Sequence, residues 1–493
     1  MRNVTQLIAY ADRFGGSLAG LTQLLRGPLA GLFGGVHVLP FFTPIDGADA
    51  GFDPTDHTRV DASLGTWADI AKLANEFEVT ADLIVNHIST ASRQFRDFVA
   101  NGEASDHAGL FLTRERVFPE GASPAELGLI YRPRPGAPFT ALRFADGTIR
   151  MMWTTFTSEQ IDLDVHDVAT SAYFDSILSR LAAAGVKAVR LDAVGYAVKT
   201  PGTSCFMTPE TLRFIDELRD RCHAFGLEVL GEVHSHHDVQ IDVAGRVDWV
   251  YDFALPPLTL HALITGDGRP LHRWLDIRPR NAITVLDTHD GIGIVDVGSD
   301  GARAGLLTPD QIDSLVEAIH GNSRGESRAA TGHAASNLDL YQVNCTYYDA
   351  LGADERQYWL ARAIQLFIPG IPQIYYVGLL AGSNDMELLA RSGEGRDINR
   401  HRYSPSEVVA AFDRPVVRRL LGLIRLRNAH PAFAGRWTLH DTANHVISMS
   451  WRASGHGVKL TVDLTDASFE LVTTGESGSR LITDPDDLVS FAD

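Results

Sequence analysis

Three carboxylates stand out for their positions. Asp192 closes the apolar run "VRLD", Glu232 lies in "LEVLGEV" and Asp290 ends "AITVLDTHD". Each follows a β-branched stretch of the kind that forms a buried strand, where ionisable groups are rare without a purpose. His87 ends a fourth run, "ADLIVNH". Arg190 lies two residues before Asp192, so the two side chains share one face of a strand. A neighbouring cation lowers a carboxyl pKa, and the expectation is that Arg190 keeps Asp192 ionised. Three acids on one rim would repel each other and weaken the fold unless they are compensated. An ionised carboxylate beside a second carboxyl, in a pocket without bulk water, is equipment for glycosidic-bond chemistry. One group attacks the anomeric carbon and the other protonates the leaving oxygen. Asp192 reads as the nucleophile, with a second rim carboxyl to donate the proton. His234 shares the strand face of Glu232.

These groups must be delivered to one surface. Short strand-like runs recur at 6–10, 35–42, 81–87, 186–194, 227–233, 247–253, 282–290 and 371–378. Helical patterns lie between most of them. One, "TPETLRFIDELRDRCHAFG", starts with Thr208 as N-cap and Pro209 in the first turn and stops at Gly226. Eight strand–helix alternations predict an α/β fold, a (β/α)8 TIM barrel, with its chemistry at the C-terminal face of the strands. The barrel would be built from 1–87, 166–290 and 354–431. Two long insertions, 88–165 after the third strand and 291–353 after the seventh, would emerge on the active face. Residues 432–493 change to period-2 alternation ("VISMSW", "VKLTVDL") and predict a small antiparallel β domain.

The chain has 493 residues, 45% of them apolar, which is enough for a large core. A formal charge of −19 argues against nucleic acid and anionic membrane surfaces as partners. Three scattered cysteines make neither a disulfide framework nor a zinc site. The first residues lack the hydrophobic length of a signal peptide, and no stretch approaches a membrane span. The expectation is a soluble, cytoplasmic protein. The stretch "HSHH" holds His234, His236 and His237 but no carboxylate or cysteine at ligand spacing, so no metal is expected and the last two should face solvent.

The runs "DLIVNH", "VRLDAVGY", "LGEVH" and "VLDTHD" resemble, in order and spacing, the four sequence regions of the α-amylase superfamily. Finer stretches resemble its sucrose phosphorylase branch: "LPFFTPIDGADAGFDPTDHT", "YRPRPGAPFT", "GTSCFMTP", "YDFALPPL", "LDTHDGIG", "SNLDLYQVN" and "GRDINRH". The likeness runs from residue 5 to about 430. It implies Asp192 as nucleophile, Glu232 as acid/base and Asp290 as transition-state stabiliser. His87, Arg190 and His289 would hydrogen-bond a glucosyl unit. Asp49 and Arg400 would pair at the closed end of the pocket, and Phe52, Phe156 and Tyr196 would form its apolar walls. Arg134, Tyr341 and Gln342 would shape the acceptor site, with Arg134 and His234 as phosphate ligands.

The resemblance further implies sucrose, inorganic phosphate, α-D-glucose 1-phosphate and fructose as partners, no cofactor, and a homodimer. Where the amylases hold a structural calcium with a Lys-His pair after the nucleophile region, this chain has Gly195 and Tyr196. Only Asn86 remains, and no calcium is expected. The competing readings are a phosphorylase of sucrose 6′-phosphate, glucosylglycerol or glucosylglycerate, and a retaining hydrolase or transglucosidase. A non-catalytic sugar-binding barrel is a further one, against which the intact acids argue.

Overall fold

The computed structural model describes residues 1–47, 49–132, 136–333, 341–476 and 478–492. Eight parallel strands close a barrel in the order in which they occur in the chain: β1 (Gln6–Ala9), β2 (Gly35–Val38), β3 (Glu78–Ile84), β4 (Ala188–Asp192), β5 (Glu228–Gly231), β6 (Trp249–Asp252), β7 (Ala282–Thr284) and β8 (Ile371–Tyr375). Seven lie within the runs predicted above, and β3 overlaps its run of 81–87 but begins and ends three residues earlier. Strands buried on both faces read as nearly unbroken apolar segments, which is why the sequence betrays them.

Helices cover the outside: α1 (Leu18–Arg26), α2 (Trp67–Ala74), α3 (Val168–Ala183), α4 (Pro209–Ala224), α5 (His237–Ala244), α6 (Leu255–Thr265), α7 (Arg269–Ile277), α8 (Glu355–Phe367) and α9 (Pro415–Ala429). The Thr208 side chain accepts the Thr211 N–H at the start of α4, as its N-cap position requires. Every residue of α8 from Tyr358 to Phe367 is buried. One side packs on the barrel. The other meets a five-stranded antiparallel sheet, β9 (Arg436–Leu439), β10 (Val446–Ala453), β11 (His456–Asp463), β12 (Ser468–Gly475) and β13 (Gly478–Ile482), through Trp359 against Phe469 (4.4 Å) and a Trp451 indole N–H on the Phe367 carbonyl (2.6 Å).

The barrel lumen is polar near its middle. His37 on β2 bonds Asp82 on β3 (3.1 Å) and Tyr251 on β6 (3.1 Å), and Tyr251 donates to Gln373 on β8 (3.0 Å). Asp82 also receives Arg190 from β4. This column stands directly under the carboxylates and fixes the guanidinium between them.

Candidate active site

Asp192 is the last residue of β4, and Glu232 follows β5 by one position. His87 and Asp290 are not strand ends. β3 stops at Ile84, and His87 pairs instead in a short antiparallel ladder with Asp162; β7 stops at Thr284, and a loop carries the chain on to Asp290. All four side chains still reach the same rim and are buried.

Arg190 organises the acids. One guanidinium nitrogen lies 3.0 Å from Asp192 Oδ1 and the other 2.8 Å from Glu232 Oε1. Ala193, immediately after Asp192, has a φ of 54°, a left-handed conformation costly for alanine. The Ala193 N–H, one residue past Asp192, donates to Glu232 Oε2 (3.2 Å).

The ionisation of Asp192 differs from the expectation. Burial pushes its carboxyl well above the ordinary range. Arg190 opposes that rise, but its charge is divided among Asp82, Asp192 and Glu232, and the charges of Glu232 and Asp82 push the Asp192 carboxyl up further. Asp290 behaves oppositely. Burial raises it, yet Arg396 (2.8 Å), His289 (3.6 Å), His234 (4.0 Å) and Arg400 (3.9 Å) hold it far below the usual carboxylate range.

The predicted sugar contacts gather around these acids. Phe52 stacks on His289 at 4.8 Å and lies under the Arg190 guanidinium. Burial lowers the pKa of both His289 and His87, which favours neutral rings that bind hydroxyls. His87 Nε2 meets the Phe52 carbonyl (2.9 Å) and Gln160 (3.0 Å). Phe156 lies edge-on to both His87 and Tyr196. Asp49 and Arg400 form no direct ion pair. Asp49 takes a hydrogen bond from Gln160 (3.4 Å), while Arg400 donates to the His289 carbonyl (2.8 Å) and turns a nitrogen toward Asp290.

On the other side, His234 stacks on Phe253 at 3.8 Å and is anchored by Asp296 (3.0 Å). Burial lowers its pKa, but Asp296, Glu232 and Asp290 more than offset this, so the pKa is raised. Gln342 (3.4 Å) and Tyr341 (ring centroids 5.6 Å) flank the same ring. Arg134 lies outside the described residues, as do 334–340 of the stretch that leads into Tyr341.

His236 and His237 are buried, not solvated. His236 accepts the Asp238 N–H as N-cap of α5 and meets the Ala304 carbonyl (3.0 Å), and His237 packs on Trp274. Both nitrogens of His236 thus have protein partners.

Several site residues escaped the sequence reading. Tyr131 and Phe206 extend the aromatic wall beside Tyr196. Arg396, in the short turn Gly395–Asn399, reaches Asp290. Lys199 buries its ammonium among Asp162 Oδ2 (2.6 Å), Asn86 Oδ1 (2.8 Å) and the Tyr196 carbonyl. It ties the insertion, the loop after β3 and the nucleophile loop together. Asn86, the one leftover calcium ligand, has this cation as its partner.

The α-amylase catalytic-domain family model matches residues 9–254. A sucrose phosphorylase of Agrobacterium vitis is 56% identical over 478 residues, covering 96% of this chain and 98% of the relative. The chain belongs to the sucrose phosphorylase family. A second sucrose phosphorylase, from Bifidobacterium adolescentis, is 52% identical and spans 94% of this chain and 92% of its own. The crystal structure of a sucrose 6F-phosphate phosphorylase from Thermoanaerobacter thermosaccharolyticum superposes with a TM-score of 0.90 at 36% identity over 98% of both chains. Among the described residues no helix is long and apolar enough to cross a membrane.

Proposed function

We propose that this family member converts sucrose and phosphate reversibly to α-D-glucose 1-phosphate and fructose, with retention at the anomeric carbon. The observation that carries the chemistry is one guanidinium, Arg190, in contact with both Asp192 and Glu232. The reactive form has Asp192 ionised and Glu232 protonated. Asp192 attacks the glucosyl carbon, the bond to the fructosyl oxygen breaks, and Glu232 gives that oxygen its proton. Asp290, held ionised opposite, stabilises the positive charge that develops on the sugar. A phosphate oxygen then attacks the same carbon from the other face. The ester to Asp192 breaks, Asp192 leaves as a carboxylate, and Glu232 takes the phosphate proton.

The choice of substrate rests on relatives that are 56% and 52% identical and are called sucrose phosphorylases. A phosphorylated acceptor is the weaker reading, because the sucrose 6F-phosphate phosphorylase is only 36% identical. The reading extends to a cytoplasmic homodimer, as the family resemblance implies, with light scattering as its check. Product analysis with sucrose and phosphate tests the reaction. Glucose 1-phosphate is expected as the main product. Free glucose alone would identify a hydrolase.

A further inference from the structure

We propose that Asp296 is a positioning residue for the acceptor step: it holds one nitrogen of the His234 ring so that the other, Nε2, meets the acceptor phosphate beside Glu232 and Asp290. This rests on the phosphorolytic reading above. Asp296 belongs to the short turn Val295–Val297 in the insertion after β7, and it is fully buried. Its Oδ2 receives His234 Nδ1 (3.0 Å), while Oδ1 takes the Ser235 N–H (3.2 Å) and the Gln240 side-chain amide (2.9 Å). Donors on both oxygens fix the carboxylate against rotation. Gly293 makes the approach possible, because a Cβ there would collide with Asp296 Oδ2 and press on His234 Nδ1 at 3.3 Å.

The ring itself is clamped between Phe253, stacked on one face, and Tyr341, edge-on. Nε2 is the nitrogen turned to the pocket. The Gln342 amide lies 3.4 Å from it, Glu232 Oε1 3.9 Å and Asp290 Oδ2 4.0 Å. Asp296 keeps the Nδ1–H in either protonation state, so a proton gained or lost belongs to Nε2. The charged ring presents an N–H to the pocket, and the neutral ring presents a lone pair. A phosphate oxygen needs the N–H. Asp296, Glu232 and Asp290 all favour the charged ring against its burial. Beyond them stand two opposing cations, Arg190 on Glu232 and Arg396 on Asp290. Glu232 gains and loses a proton in the reaction, so its support is intermittent. Asp296 takes no part in bond-making, and its support is constant. In a chain of formal charge −19, it keeps a local cation facing the incoming anion.

The test compares Asp296→Asn and Gly293→Ala with the unmodified chain. Phosphorolysis of sucrose is followed across pH, with phosphate-free hydrolysis of α-D-glucosyl fluoride as the reference. Asp296→Asn keeps the size of the side chain and removes its charge. Near neutral pH its KM for phosphate should rise about fivefold or more, and the alkaline climb of that KM should begin about one pH unit lower. NMR of carbon-13-labelled histidine, with the His234 signal identified by its loss in His234→Gln, should show that ring titrating about one unit lower. Gly293→Ala retains the carboxylate but pushes it off the ring, and should move both readings the same way. It carries the test if thermal denaturation shows that Asp296→Asn does not fold. An unchanged KM for phosphate in a folded variant would overturn the proposal. Equal losses in phosphorolysis and hydrolysis at every pH would also overturn it, since a merely structural role predicts them. Failure of the unmodified chain to make glucose 1-phosphate would instead remove the phosphorolytic reading.

Discussion

His37 and Asp82 are joined by a 3.1 Å hydrogen bond in the barrel lumen, one level below the catalytic rim. Burial drives the Asp82 carboxyl up, but His37 and Arg190 hold it down at about 2, from an ordinary 3.8. A depressed carboxyl contributes stability above its unfolded pKa and loses it as pH falls through the folded value. Unfolding free energy should therefore decline between about pH 4 and pH 2, by about 2 kcal/mol from this group. Asp82→Asn should remove that part of the acid dependence. It should also destabilise the protein by about 3 kcal/mol at neutral pH, because Arg190 loses a buried partner. Chemical denaturation across pH checks both.

Asp192 carries the opposite sign. Its carboxyl is raised by burial, so ionising it near neutrality costs folding free energy. Asp192→Asn should abolish turnover, by at least about a thousandfold, and raise the melting temperature. Calorimetry and sucrose turnover measure the two effects. A folded variant with normal turnover would remove Asp192 as nucleophile.

Glu232→Gln should slow transfer from sucrose far more than transfer from α-D-glucosyl fluoride, whose leaving group needs no proton. Steady-state rates on both donors decide. Equal losses would end the acid assignment.

His234 has a raised pKa, so its cation extends above the ordinary histidine range and is lost as pH rises through the folded value. If it helps to hold phosphate, KM for phosphate should climb on the alkaline side. His234→Gln should raise KM for phosphate at all pH values and flatten that climb. A pH series of phosphate titrations would show it.

Lys199→Met should leave Asp162 charged and buried without its cation, at a cost of about 3–5 kcal/mol. Added calcium or a chelator should leave the melting temperature of the unmodified chain unchanged, because an ammonium occupies the junction.

What the sequence disclosed follows from how each feature is encoded. The barrel strands and Asp192 are local signals: apolar runs, and a charge placed where apolar residues should continue. Lys199 is not local. In "YAVKT" it looks like any surface lysine, and its burial depends on Asn86, 113 residues away. Arg396 sits in the polar stretch "GEGRDINRH", which reads as a solvated loop until the fold sets it against Asp290. His236 and His237 misled in the other direction, because a run of polar rings suggests exposure while a helix cap and Trp274 bury them. The spread of Arg190 over three acids is likewise invisible from its neighbour alone, since Asp82 arrives from another strand.

The buried ammonium of Lys199 also bears on the conditions under which such an enzyme can work. A pocket rim tied by calcium would sit poorly with a reaction that consumes phosphate, since phosphate binds calcium and precipitates it. A rim tied by a covalently attached cation has no ion to lose. The oxygens of Asp162, Asn86 and Tyr196 that meet there are held by a side chain of the same polypeptide, so raising the co-substrate draws no ion out of that junction.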